Sequence, residues 1–391
     1  MSFKKAALSE LCDEIVVGHV GPSSGHRQRD GIPFLMGKNV GEGFLKLDDL
    51  ERVTPEFHLS QKKSQLRPGD VVVVRIGKSG MAAKVPKRLG EANCAGLVVL
   101  KGPREVTADY LVCFLNSPMG RRESLRQTKG STRQTLNTKS VAATIVPVPP
   151  LPEQKRIAGI LDATDVLRAK RRESIAQLDA LIQSTFLDMF GDPVTNPMGW
   201  EQQRIDRVFE VARGGSPRPI DAYLTDSSDG LNWIMIGDAS EDSRYIASTK
   251  KRIKPEGLRK SRMVHDGDLL LTNSMSFGKP YILKTDGCIH DGWLVLSPKD
   301  KRMSADYFYS LLSTEALYRE FQRGAAGAVV KNLNIKVVSQ VSVAVPPFEI
   351  QHKFADIVES VEQQKARQRA HLAELDNLFA SLQSRAFSGQ L

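Results

Sequence analysis

Two runs of basic side chains carry the most pointed chemistry in the sequence. Residues 244–262 hold Arg244, Lys250, Lys251, Arg252, Lys254, Arg259, Lys260 and Arg262 against one acid, Glu256. Residues 121–139 hold Arg121, Arg122, Arg126, Lys129, Arg133 and Lys139 against Glu123. Such side chains displace counterions from phosphates, and Arg, Asn and Gln can also read base edges in a groove. Two polar, glycine-rich stretches are suited to groove-entering loops. One, residues 18–39, carries Arg27, Gln28, Arg29, Lys38 and Asn39; the other, residues 214–238, follows Arg213 and contains Arg218. A basic run alone is most often a solvated surface, but both features recur in two parts of one basic chain, which favours a nucleic acid partner. Residue types do not divide phosphate contacts from base contacts.

Catalytic chemistry has no comparable signature. The sequence contains no P-loop, HExxH, GxSxG or GxGxxG, so nucleotide hydrolysis, zinc or serine hydrolysis and dinucleotide binding lack their motifs. Glu153 and Lys155 form an ExK, but at a helix start, where an acid complements the helix dipole. Val345-Pro346-Pro347-Phe348 lacks the polar first residue of the amino-methyltransferase tetrapeptide, and Val148-Pro149-Pro150-Leu151 lacks the aromatic as well. The seven histidines do not cluster, and Cys12, Cys94, Cys113 and Cys288 form no CxxC pair. We expect no metal site, no disulfide framework and no catalytic centre.

The elements that must position the basic side chains are set by an internal repeat. Pro149-Pro150-Leu151-Pro152-Glu153-Gln154 is answered by Pro346-Pro347-Phe348-Glu349-Ile350-Gln351, and an offset of 197 then runs without a gap for some forty residues. The same offset relates Leu136-Asn137-Thr138-Lys139 to Leu333-Asn334-Ile335-Lys336, Gly130 to Gly327, and Ala108-Asp109-Tyr110 to Ala305-Asp306-Tyr307. Upstream it slips by one residue in either direction, as loops allow. The chain therefore reads as two copies of one unit, each a globular part followed by a long helix. The boundaries are 1–150 and 193–347 for the globular parts, 151–192 and 348–391 for the helical spacers.

Between Pro152 and Phe190 there is one glycine and no internal proline, and Gly191-Asp192-Pro193 supplies a stop. Alternating steps of four and three give a heptad seam through Ile157, Leu161, Ile175, Leu178 and Ile182, polar at its middle around Thr164, Arg168 and Arg171. The second copy repeats it with Phe354, Val358, Val361, Leu372, Leu375, Phe379 and Leu382, polar around Lys365 and Gln368. Two such stripes predict an antiparallel coiled coil, about 55–60 Å long at 1.5 Å per residue. In each globular part, strand signals (VVVVRIG, GLVVL and ATIVPVPP; GDLLLT, GWLVL and VSVAVPP) flank a helical stretch, TADYLVCFLNSPMGRRESLRQ or SADYFYSLLSTEALYREFQRG.

The overall composition agrees. With 391 residues and 41% hydrophobic content the chain can bury more than one core. The formal charge of +10 divides as +9 for residues 1–150, −1 for 151–195, +3 for 196–347 and −1 for 348–391, so the basic excess lies in the globular parts. No stretch reaches the ~18 apolar residues of a membrane span, and Asp13 and Glu14 interrupt the start of the chain, so a soluble cytoplasmic protein with reduced thiols is expected.

PPLPEQKRIAGIL opening the first helix, AFSGQL closing the second, GWEQQRIDRVFE leading into the second globular part, GGSPRP, and the paired PGDVVV and DGDLLL strands together resemble the specificity subunit of type I restriction-modification systems. The second helix departs from the usual opening with Phe348-Glu349-Ile350-Gln351. The resemblance implies an α+β protein of two target recognition domains with a pseudo-two-fold arrangement, each reading one half of a bipartite, asymmetric DNA target, with the helices setting the spacing. It implies docking of two methyltransferase subunits and of restriction/translocase subunits, with S-adenosylmethionine, ATP and Mg bound by those partners rather than by this chain. A subunit serving a methyltransferase-only or fused-nuclease system fits the same residues.

Overall fold

The computed structural model describes residues 3–126, 135–240, 242–273, 277–324 and 332–391. Lys129, Arg133, Gly130 and Gly327 lie outside them. The chain divides into two compact units, residues 1–172 with 369–391, and residues 173–368. The two long helices, Leu151–Phe190 and Phe348–Ser388, are thus each shared between the units.

In the first unit, Lys4–Ala7 pairs antiparallel with Ile145–Val148, closing the globular part where the central helix begins. One antiparallel sheet runs in the order Cys12–Val17, Leu97–Pro103, Val71–Val74, Ala82–Lys84. All four valines of Val71–Val74 are buried because both faces of that sheet are covered, which is why the strand reads as a continuous apolar run. A second sheet runs Glu51–Val53, Arg27–Leu35, Ala92–Cys94, Gln65–Leu66, with one parallel pairing between Arg27–Leu35 and Ala92–Cys94.

The second unit repeats this plan. Gln202–Arg204 pairs with Ser342–Ala344; one sheet runs Phe209–Arg213, Trp293–Pro298, Leu269–Thr272, Pro280–Leu283, Tyr245–Ile246. The other runs Leu224–Thr225, Lys251–Ile253, Leu231–Ile234, Gly287–Ile289, Arg262–Val264, again with a single parallel pairing in the equivalent place, Leu231–Ile234 with Gly287–Ile289. The expected helical stretch is broken in each copy. Ser117 caps Gly120 and Pro118 starts a new helix, separating Ala108–Asn116 from Pro118–Leu125. The equivalent pair is Ala305–Leu312 and Glu315–Gly324.

The repeated Gln of the helix openings anchors each helix to its globular part. Gln154 is fully buried, donates to the Glu105 and Pro149 carbonyls at 2.8 and 2.9 Å, and accepts from Thr107 N–H at 2.8 Å. Gln351, also fully buried, donates to the Pro346 carbonyl at 2.8 Å and accepts from Ser304 N–H at 3.1 Å. Tyr110 and Tyr307 hydroxyls donate to Pro147 and Ala344 carbonyls at 2.8 and 2.9 Å.

Within each unit the two helices run antiparallel. In the first, Ile157 and Leu161 share a core with Phe379, Leu382, Ala386 and Phe387; in the second, Leu178 and Ile182 share one with Phe354, Val358 and Val361. Ile175, Leu372 and Leu375 are only half-buried. Past Ile182 the seam leaves the heptad register: Phe186 and Phe190 are buried instead of Thr185 and Met189, because both rings pack on Tyr307 of the globular part, at 5.7 and 4.6 Å between centroids. A 3.6-residue period brings those two positions onto the core side.

Candidate nucleic-acid interface

The basic run of the second unit lies along its second sheet and the turn that enters that sheet's edge strand. Ile253 is buried in a small core with Trp233 and Cys288, while its strand neighbours Lys251 and Arg252 are exposed. The chain then turns through a 3-10 segment, Pro255–Lys260, carrying Arg259 and Lys260, and enters the edge strand with Arg262.

Against this edge lies the glycine-rich loop. Gly214 N–H bonds the Trp293 carbonyl at 3.0 Å and Gly215 N–H the Ile289 carbonyl at 3.1 Å. A Cβ on Gly214 would sit 2.1 Å from the His290 carbonyl oxygen, so only glycine lets the backbone pass here. Gly18, at the corresponding place in the first unit, would put a Cβ 2.8 Å from the Cys94 carbonyl oxygen.

The close approach brings two arginines to Asp291 and a third to Arg213. Arg213 Nε donates to the Asp291 carbonyl at 3.0 Å, Arg262 Nε donates to the Arg213 carbonyl at 3.2 Å, and Arg218 lies 3.9 Å from the Asp291 carboxylate. The Ser216 hydroxyl donates to that carboxylate at 2.6 Å and, more than any other contact, holds its pKa below the usual range. Neighbouring His290 is held below its ordinary value by burial, against the pull of Asp291 and Asp238.

Other cations of this run are tethered to backbone carbonyls: Lys250 to Gly237 at 3.0 Å, Lys254 to Ala222 at 2.9 Å, and Arg252 to Ser227 and Ser228 at 3.4 Å. Lys251 and Arg259 are exposed and have no side-chain partner among the described residues.

Arg244 corrects the expectation from sequence. Only 7% of its side chain is exposed, its guanidinium bridges Asp306 at 2.8 Å and Glu362 at 3.7 Å, and it stacks 4.5 Å over the Tyr309 ring. It is an internal ion-paired group that ties the globular part to the last helix. Asn39 is corrected in the same way: it is buried, and its Oδ1 caps Met36 N–H at 3.0 Å, as Asp238 caps Met235 N–H at 2.8 Å in the second unit.

In the first unit, Arg27 and Lys38 share Glu51, whose pKa is lowered first by the Lys38 contact at 2.8 Å; Arg27 also lies 5.0 Å over the Phe34 ring. Gln28 and Arg29 are exposed without side-chain partners among the described residues. Arg121 pairs with Glu42 and Arg126 with Glu123 at 3.6 Å, while Arg122 is exposed and unpaired among the described residues. These three lie on or cap the helix Pro118–Leu125 rather than on the second sheet, so the structure assigns the first unit's two groups of candidates to different elements.

Sequence reasoning passed over Lys62 and Lys63, both exposed, in the 3-10 segment Lys62–Ser64 that enters the edge strand Gln65–Leu66. Lys62-Lys63-Ser64 answers Arg259-Lys260-Ser261 at the offset of 197, and that repeat was the available signal.

No group of three or more His, Cys, Asp or Glu that could hold a metal occurs among the described residues. Burial pushes the thiols of Cys12, Cys94 and Cys113 up to about 12, so they are protonated. No helix among the described residues is long and apolar enough to cross a membrane.

Comparison with known proteins converges on one family. The type I restriction modification DNA specificity domain matches residues 10–178 and 197–377. The chain is 22% identical over 398 residues to the type I restriction enzyme EcoKI specificity subunit of Escherichia coli K12, covering 93% of this chain and 83% of that one. It is 25% identical over 186 residues to the EcoBI specificity subunit of Escherichia coli, an alignment spanning 46% of this chain and 39% of the relative. In fold it is similar to the S subunit of a type I restriction-modification system from M. genitalium, with a TM-score of 0.58, 14% identity and coverage of 99% and 96% of the two chains. A second chain, from work on complex assembly and conformational transition of the type I R-M system, gives a TM-score of 0.58 at 19% identity, covering 100% and 98%. With a specificity domain matched in each copy of the repeat, the chain belongs to the family of type I restriction-modification DNA specificity proteins.

Proposed function

We propose that this protein is the non-catalytic DNA-specificity subunit of a type I restriction-modification complex, each globular part reading one half of a bipartite target. The observation that carries this is the duplication of a single device: a glycine loop laid against the basic edge of the second sheet, present once in each unit. Two non-identical copies suit an asymmetric, split target, since the same scaffold presents different side chains at equivalent places. Cations at the edge supply phosphate contacts, and exposed polar residues such as Gln28 and Arg29 can reach base edges.

In this reading the helix pair spaces the two half-sites and docks two adenine methyltransferase subunits, to which restriction/translocase subunits add. S-adenosylmethionine, ATP and Mg belong to those partners, and the complex works in the cytoplasm on cellular DNA. A genome-wide map of N6-methyladenine in the host, with and without the gene, tests the proposal. Deletion is expected to erase methylation at one split motif, two short specified blocks around an unspecified spacer. Survival of every methylated motif, together with no DNA binding by the purified complex, overturns it.

A further inference from the structure

Lys62-Lys63 and Arg259-Lys260 occupy the same place in the two units. Each pair sits in a 3-10 turn that leads directly into the edge strand of the second sheet. Both turns end in a serine that fastens them to the adjacent strand. Asn93 Nδ2 donates to Ser64 Oγ at 2.7 Å, and Ser261 Oγ donates to the Ile289 carbonyl at 3.0 Å.

Both turns also abut the glycine loop. His19 Nδ1 lies 3.1 Å from Gln61 Oε1, and a Cβ on Gly215 would fall 2.7 Å from the Lys260 carbonyl oxygen. The turn is therefore fixed from two sides while its cationic heads remain exposed.

Charge state separates these four residues from the ion-paired candidates, and their place in the repeated turn separates them from the other unpaired ones. Lys62, Lys63 and Arg259 have no acid partner among the described residues, and Lys260 reaches the Tyr223 hydroxyl at 3.1 Å. Arg27 and Lys38 instead hold Glu51, and Arg121 and Arg126 hold Glu42 and Glu123. A paired cation must give up its carboxylate before it can neutralise a phosphate, whereas an unpaired one gains the whole interaction.

We infer that Lys62-Lys63 and Arg259-Lys260 are equivalent phosphate-gripping pairs, one for each unit, that hold the duplex backbone at the same place relative to the glycine loop. Three of the four are lysines, compact point charges suited to phosphate. Arg259 is assigned to phosphate with them because it stands where Lys62 stands in the other copy, so the pairs position the DNA and leave sequence choice to other side chains. The inference rests on the DNA-specificity reading above and extends it to named contacts.

The test uses the chain in complex with its methyltransferase subunits and a fluorescent duplex of mixed sequence, titrated across a range of salt concentrations. Each phosphate contact contributes about 0.9 to the slope of log affinity against log salt, so K62Q/K63Q is expected to lower the slope by about 2, R259Q/K260Q likewise, and the quadruple variant by about 4. K62R/K63R keeps the wild-type slope, and an unchanged unfolding midpoint shows that the glutamine variants fold. The N6-methyladenine motif in cells keeps its sequence. An unchanged slope for K62Q/K63Q beside a reduced one for R259Q/K260Q overturns the inference, as does an altered base preference. Failure of the wild-type complex to bind DNA in a salt-dependent way sinks the underlying DNA reading instead, and this inference with it.

Discussion

Lys365 Nζ lies 2.5 Å from Asp179 Oδ1, and 197 residues earlier Arg168 Nε lies 2.6 Å from Asp376 Oδ1, so the duplication places the same cross-helix ion pair in each unit. Each cation also holds an acid one turn before it, Glu362 at 2.7 Å and Asp165 at 2.5 Å. The acceptors are the aspartates of QLDAL and ELDNL. The polar middle of the seam is thus a matched set of ion pairs. Such pairs add little net stability because both partners lose hydration, but they are satisfied in one register only and penalise slippage.

Breaking one side of the second unit's pair is therefore expected to cost more than removing both. Lys365 is only 5% exposed and Asp179 53%, so Asp179→Leu should lower stability by about 2 kcal/mol, below the 3–5 kcal/mol of a fully buried pair. The double variant K365L/D179L should recover part of that loss, because Glu362 then gives up its Lys365 contact. Urea unfolding of the full chain measures both, and strictly additive effects would show that the two side chains do not communicate.

Arg244 gives a prediction that separates stability from binding. Arg244→Met leaves Asp306 and Glu362 without their shared guanidinium in a site that is 7% exposed on the arginine side. A loss of about 3 kcal/mol is expected. The salt dependence of DNA binding should stay at its wild-type slope at a temperature where the variant is folded. A lowered slope with an unchanged unfolding midpoint would return Arg244 to the DNA-contacting set.

The repeat, the long helices and several strands were legible because they depend on period and offset, which one chain carries in full; the order of the strands in the sheets was not. Val71–Val74 and Leu269–Thr272 announce buried strands by composition, and the Pro-Pro openings mark where each helix begins. Partnering was not legible. Arg244 belongs to a run of exposed cations in sequence, yet it alone of that run turns inward, because Asp306 and Glu362 come from elements 62 and 118 positions away. Lys62 and Lys63 were missed for the opposite reason: a run of two is unremarkable until the repeat aligns it with a longer one.

The buried glutamines should be among the costliest polar positions. Gln154→Leu leaves Thr107 N–H and the Glu105 and Pro149 carbonyls without their partner, and about 1–3 kcal/mol is expected for each orphaned buried group that water cannot reach. Gln351→Leu removes two bonds and should cost less. Thermal unfolding of the two variants gives the order, and equal losses would mean that the third bond of Gln154 contributes nothing.

Stability should also fall as the solution is acidified through the ordinary histidine range, and His290 is the group to test. Its ring lies 6.2 Å from the Trp233 centroid and 6.4 Å from Trp293, and its Nδ1 accepts Gly292 N–H at 2.8 Å. Burial lowers its pKa; Asp291 and Asp238 pull the other way and do not overcome it. The unfolded chain therefore takes up a proton near pH ~6.5 that the folded chain still refuses. The contribution of the neutral ring is complete above that pH, declines as pH drops, and levels off below the folded value. Asp291, with its pKa lowered, acts in the same direction only below the ordinary carboxylate range, so it lies outside this window. The difference in urea midpoint between wild type and H290Q should shrink between pH 7.5 and pH 5. A constant difference would mean that His290 is protonated equally in both states.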